Sequence, residues 1–242
     1  MNGAAQSNPS ATRVLLAWCV HALTASGAVI GALALVDVAA GNASRAAILM
    51  LVALSIDSID GSLARAVDVA RVLPRIDGRR LDDVVDYFNY AIVPASFLLE
   101  LGILPHWSLA AAPILASGYG FAQREAKTDD DFFLGWPSYW NVVAIDLWLM
   151  ETSPAVASVI VLVLSVLVFV PWKYVYPSRT PVLRSLSNAG ALAWILVTAW
   201  AAANPDRARE LHVVEISLLY PAYYMALSAW LGDWLGLRGG RR

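Results

Sequence analysis

Asp57, Asp60, Gly61, Ala64 and Arg65, followed by Gly78, Asp82 and Asp86, set an ordered series of acids and small residues inside an otherwise apolar chain. On an α-helix, Asp57, Asp60, Gly61 and Ala64 fall at i, i+3, i+4 and i+7 and share one face. Asp82 and Asp86, at i and i+4, share a face at the start of the next helix. Gly61 and Ala64 keep their stripe free of bulk, so a flat ligand or a second backbone can come close. Two such pairs facing each other make a four-carboxylate cluster. That donor set suits a hard divalent cation, magnesium or manganese, held by carboxylates together with water or substrate phosphate. The competing explanation is structural, with acids at helix ends paired to Arg71, Arg75, Arg79 or Arg80 in headgroup water. An ionised side chain at the bilayer centre costs about 2.5–3.5 kcal/mol even on the lenient insertion scale. Four together must therefore be solvated or bound, and the full ordered set favours a site.

The elements that position these acids follow from composition. The chain has 242 residues, 59% hydrophobic and 15% charged, with a mean hydropathy of +0.59. These values describe an integral membrane protein. A net charge of −2 gives no reason to expect a nucleic-acid partner. The single cysteine, Cys19, excludes an internal disulfide and a multi-cysteine metal site, and reads as a packing residue. The first apolar run, 14–38, is too long for the core of a cleaved signal peptide and reads as a retained membrane helix. Further apolar segments at 46–69, 84–104, 107–123, 139–152, 155–171, 182–203 and 211–237 predict an all-α, polytopic bundle of about eight transmembrane helices. Residues 1–242 read as one domain.

Basic residues set the expected orientation. Arg71, Arg75, Arg79, Arg80, Arg124, Lys127, Lys173, Arg179 and Arg184 fall on one side, joined by Arg238, Arg241 and Arg242. Arg45, Arg207 and Arg209 fall on the other. The bias predicts both termini in the cytoplasm and the aspartates near the cytoplasmic ends of the second and third helices. Asp146, Glu100 and Glu151 are expected at membrane boundaries, where ionised groups reach water, and are assigned no chemistry.

The series Asp57-x-x-Asp60-Gly61-x-x-Ala64-Arg65, then Gly78-x-x-x-Asp82-x-x-x-Asp86, resembles the signature of the CDP-alcohol phosphatidyltransferases. These membrane enzymes displace CMP from a CDP-linked lipid or alcohol. The gap of twelve residues between Arg65 and Gly78 is longer than usual for the family. It is similar to the branch that joins choline to CDP-diacylglycerol, and Leu81–Tyr87 and Phe133–Asn141 extend the likeness. The resemblance implies that Asp57, Asp60 and Asp82 bind Mn2+ or Mg2+, with Asp86 close enough to contribute. It implies that Gly61, Ala64, Arg65 and Gly78 receive the cytidine diphosphate and that Asp86 is the general base. It also implies a six-helix core with two peripheral helices, a homodimer among membrane lipids, and a place in the bacterial inner membrane with the site facing the cytoplasm. The conformation of 66–77 stays open between loop and helical extension.

A choline acceptor would need aromatic faces for its quaternary ammonium. Tyr87, Tyr90, Trp136, Tyr139 and Trp140 are candidates, although aromatic residues also gather at membrane interfaces without any such role. Thr24 on the first helix faces either the nucleotide or a packing neighbour, and Lys127 or Arg124 either the diphosphate or lipid phosphates. The acidic run Asp129–Asp131 suits attraction of a cation, or is a solvated loop. Serine, glycerol phosphate and inositol phosphate remain alternative acceptors. A cation-coupled transporter is the reading from another class; it leaves the diphosphate-like signature without a role.

Overall fold

Helix α1 (Ala11–Ala39) starts where the Ser10 hydroxyl accepts the Arg13 amide, and it packs along α2 (Ala43–Val67) through a tight turn at Gly41. The computed structural model describes residues 9–234, so Arg238, Arg241, Arg242 and the last residues of the predicted segment 211–237 lie outside the described residues. Leu15, Val29, Leu33 and Val36 of α1 are exposed. Helices apolar on their outward faces as well as inward are built for lipid. Among the described residues, α1, α2 and α9 (Arg184–Ala203) are long and apolar enough to cross a membrane. Cys19, read as a packing residue, is exposed on the outer side of α1 rather than packed within the protein.

The open question at 66–77 resolves into a break. Asp68 takes a left-handed conformation that ends α2, a single turn α3 (Val69–Val72) follows, and Asp77 then caps α4 (Gly78–Tyr87) by accepting the Arg80 amide. Helix α4 therefore begins ahead of the apolar run that starts at 84, and it carries Asp82 in its early turns, as the spacing predicts. A π-helical turn, Phe88–Ile92, joins α4 to α5 (Val93–Glu100). Such an insertion rotates the residues after it and is frequent at functional sites.

Helix α6 (Trp107–Ala122) packs on α8 (Pro154–Leu167), and α7 (Trp140–Leu149) packs on α5. Between them runs an element that the all-α expectation omits: β1 (Phe132–Leu134) pairs antiparallel with β2 (Lys173–Val175). Gly135 closes this ribbon at φ +80°, and a Cβ there would collide with the Val168 carbonyl, so the Leu134-Gly135-Trp136 step needs its glycine. After α9 come α10 (Pro205–Glu210), α11 (Val213–Ser217) and α12 (Leu219–Leu231). The eighth predicted segment is broken near Leu218 because Pro221 has no N–H to donate to the Ser217 carbonyl. The core, centred on Phe97, Leu98, Trp140, Ile145 and Leu149, lies between α5, α7 and their neighbours. Asp146 is buried there with Oδ1 lacking a hydrogen-bond partner, contrary to the expected boundary position.

Candidate active site

Helices α2 and α4 bring the signature acids together. Asp57, Asp82 and Asp86 each offer a carboxylate oxygen, and these oxygens lie within 4.8 Å of one another. At that spacing, each ionised pair repels by about 3 kcal/mol for an effective dielectric near 20. The donor set, three hard oxygens converging from two helices, fits a divalent cation such as magnesium or manganese.

Asp86 is in that trio, whereas Asp60, expected as a ligand with Asp57 and Asp82, is not. Its Oδ2 accepts a 2.7 Å hydrogen bond from the Thr24 hydroxyl of α1, and it is buried. Three residues along a helix is a rotation of about 300°, which swings Asp60 from Asp57 toward α1. Asp57, Asp60 and Asp86 nonetheless line one small cavity with Thr24, Asn89 and Tyr90. Of these, Asn89 drew no attention in the sequence. It lies in the π turn, where a Cβ on Gly31 of α1 would strike it. The close approach of α1 to the π turn therefore depends on glycine.

The residues expected to receive the nucleotide surround this cavity differently. Gly61 faces open space, and an added Cβ would meet only Arg65 Nη1 at 3.4 Å. Arg65 folds back along its own helix, donating to the Ser62 hydroxyl at 2.9 Å. Ala64 packs on the small cluster of Ala17, Val20, Val69 and Val72. Gly78 abuts His21, a buried imidazole whose Nε2 has no hydrogen-bond partner. Arg80 pairs with Asp77, so it does not neutralise the cluster.

Among the described residues, Lys127 is the basic side chain in ion-pair contact with the clustered acids, its Nζ 3.9 Å from Asp82 Oδ2. Partial burial works against its charge, but Tyr176 and the carboxylates of Asp82, Asp86 and Asp83 outweigh this and hold the ammonium above its ordinary pKa. The neighbouring acidic run is largely committed elsewhere. Asp130 takes a 2.6 Å bond from Lys173, and Asp131 lies 3.6 Å from Arg179. For Asp130, slight burial is overcome by hydrogen bonds from Lys173 and Thr128, which hold its carboxyl below the usual value.

The aromatic candidates divide. Tyr90 is buried and donates a 2.7 Å hydrogen bond to Asp57 Oδ2. Tyr139 lies beside it, with ring centroids 6.1 Å apart, and also meets Tyr224 at 5.8 Å and Phe133 at 6.4 Å. Tyr176 stacks on Phe133 at 4.4 Å. Trp136 and Trp140 instead pack edge to face in the core, and Trp140 Nε1 donates to Ser117. Tyr87 turns toward α6, bonding the Ile114 carbonyl and meeting Phe121. Tyr224 and Tyr176 were invisible from the signature, since both lie far along the chain from it. The one available signal was the tyrosine-rich stretch from Tyr220 to Tyr224.

No protein-family model matches the sequence. Comparison with individual proteins is informative: the chain is 40% identical over 222 residues to the phosphatidylcholine synthase of Legionella pneumophila, covering 88% of this chain and 87% of that relative. The chain belongs to the phosphatidylcholine synthase family. The phosphatidylcholine synthase of Pseudomonas aeruginosa is 37% identical over 184 residues, covering 74% of this chain and 77% of the relative. That of Borreliella burgdorferi is 36% identical over 178 residues, covering 72% and 76%. Membership of the phosphatidylcholine synthase family agrees with the branch that the long spacing between Arg65 and Gly78 resembles.

Proposed function

We propose that the protein transfers the phosphatidyl group of CDP-diacylglycerol to choline, giving phosphatidylcholine, CMP and a proton. One observation carries this reading: a chain of the phosphatidylcholine synthase family converges Asp57, Asp82 and Asp86 onto a common point. A diphosphate ester is a poor electrophile shielded by negative oxygens, and a divalent cation held by these acids, Mn2+ or Mg2+, would neutralise charge on the diphosphate and the departing CMP. The choline hydroxyl oxygen attacks the phosphorus that bears diacylglycerol. The bond from that phosphorus to the CMP oxygen breaks as the new ester bond forms, and the hydroxyl proton passes to Asp86. Asp57 and Asp82 would hold the cation, with Asp60 supporting from its bond to Thr24. Gly61, Ala64, Arg65 and Gly78 border the space for the nucleotide. Tyr139, flanked by Tyr90, Tyr224 and Phe133, offers the aromatic face for the trimethylammonium group. This group replaces the wider aromatic set that includes Tyr87, Trp136 and Trp140.

The eight apolar segments each cross or line the bilayer, the site opens to the cytoplasm, and the enzyme works as a homodimer in the bacterial inner membrane. The aspartates, Lys127 and the β1–β2 ribbon then share the cytoplasmic end, whereas Arg45–Asp37 and Arg209–Glu151 pair at the opposite one.

The test is conversion of labelled choline to labelled phosphatidylcholine by purified protein in nanodiscs. Turnover should require both CDP-diacylglycerol and Mn2+ or Mg2+, and Asp86→Asn should abolish it while leaving the melting curve in place. Undiminished turnover by that variant would remove the base. Preference for serine or a phosphorylated alcohol over choline would overturn the acceptor.

A further inference from the structure

We propose that Lys127 is a phosphate-binding residue of the site, released from Asp82 when a divalent cation loads and then bound to the diphosphate of the nucleotide. This rests on the proposed function and adds a residue from outside the acidic signature.

The geometry of the loop carries it. Lys127 sits on a segment whose backbone is pinned: Leu134 donates to the Ala126 carbonyl at 3.0 Å, Thr128 donates to the Phe132 carbonyl at 2.8 Å, and Lys127 itself bridges Phe133. Its Cα is therefore fixed beside the cluster, while its side chain remains 38% exposed on a flexible stem. The contact with Asp82, at 3.9 Å, is an ion pair without a hydrogen bond. Asp130 of the same loop meets Lys173 of β2 at 2.6 Å, the spacing of a locked pair. Lys127 is thus held near the acids by charge and not fixed to any one of them.

Asp82 would help hold a divalent cation together with Asp57 and Asp86, and that positive charge would weaken its attraction for the ammonium. The diphosphate of the nucleotide would then offer Lys127 other negative oxygens at the same end of the site. Arg65, turned back to Ser62, does not occupy that role here. Lys127 is the ammonium in contact with these acids, and a charged hydrogen bond to a phosphate oxygen would be stronger than its 3.9 Å contact with Asp82.

The experiment uses full-length wild-type protein, Lys127→Met and Lys127→Arg in nanodiscs, with Mn2+ and CMP as probes. Mn2+ binding without nucleotide is read by electron paramagnetic resonance, and CMP binding at saturating Mn2+ by calorimetry. Lys127→Met should bind Mn2+ at least as tightly as wild type, because a competing cation is gone. It should bind CMP roughly tenfold to a hundredfold more weakly, the ordinary worth of a hydrogen bond to a charged group. Its KM for CDP-diacylglycerol should rise with the CMP constant while KM for choline stays, and Lys127→Arg should recover part of the loss. CMP binding unchanged in Lys127→Met, or Mn2+ binding weakened in both variants, would overturn the inference. Wild-type protein that makes phosphatidylcholine while Lys127→Met keeps full CMP affinity overturns this inference alone. Wild-type protein that neither binds Mn2+ nor makes the lipid overturns the proposed function, and this inference with it.

Discussion

Tyr90→Phe removes one oxygen and separates two roles that the fold places on a single residue. The hydroxyl donates 2.7 Å to Asp57 Oδ2, and the ring packs 6.1 Å from Tyr139. Tyr90 is only 5% exposed, so water does not readily replace the lost donor. A hydrogen bond to a charged group is worth about 1.5–3 kcal/mol, roughly a factor of ten to 150. Two effects compete. Losing the donor leaves the Asp57 oxygen more basic, which favours cation binding; it also frees the carboxylate to rotate out of the arrangement it shares with Asp82 and Asp86. Loss of an outer partner of a metal ligand typically weakens affinity by about 10- to 100-fold, so loss of orientation wins. Mn2+ titration of the variant should show that weakening. Phenylalanine preserves the ring, so KM for choline at saturating Mn2+ should move by less than about threefold, well inside the range of a retained aromatic contact. Unchanged or tighter Mn2+ binding would refute the view that Tyr90 orients Asp57. A large rise in choline KM would show that the hydroxyl itself contacts the acceptor.

Tyr139→Leu tests the other half of that division. It should raise KM for choline roughly tenfold, the worth of a partly desolvated cation–π contact, and leave Mn2+ affinity at the wild-type value in the same titration. Gly61→Ala should leave the melting curve unchanged or shift it slightly upward, since the new Cβ meets only Arg65 at 3.4 Å and alanine favours helix. CMP binding should nevertheless be lost if, as proposed, the open space beside Gly61 takes the nucleotide. Calorimetry showing full CMP affinity in that variant would place the nucleotide elsewhere.

The fold and the site differed in how far the sequence exposed them. Local spacing was enough for the convergence of Asp57, Asp82 and Asp86, because i, i+4 periodicity and a connection of limited length leave two helix faces little freedom. The direction of Asp60 was not legible, since i+3 lies on the same broad face as i+4 and only the position of Thr24 on α1 decides which way it turns. The same holds for aromatic residues. Trp136 and Trp140 occur in the stretch that resembles the family, yet their large apolar rings complete the core instead. Tyr224 reaches Tyr139 only through the docking of α12 on β2, a contact between distant parts of the chain. The β1–β2 ribbon escaped prediction for a related reason: three-residue strands carry no periodic signal, and their pairing spans about forty residues of chain.

The acids are held close by packing that does not itself involve charge. Three carboxylates within 4.8 Å oppose the approach of α2 to α4, and the single ammonium of Lys127 cannot neutralise them. What brings the helices together is α1, which packs on both. Gly27 and Gly31 let α1 sit against Val85, Phe88 and Asn89, while the Thr24 hydroxyl holds Asp60. Tyr90 then fixes Asp57 from the π turn that follows Asp86. Tyr90 and Thr24 each position a carboxylate by bonding one of its oxygens, Oδ2 in both cases. The helix bundle thereby meets the reorganisation cost of assembling like charges during folding, and a cation arriving at the site gains their attraction without first having to collect them. Bulk added on the α1 face would for that reason disturb metal binding from a distance, through the spacing of α2 and α4, before any acid was altered.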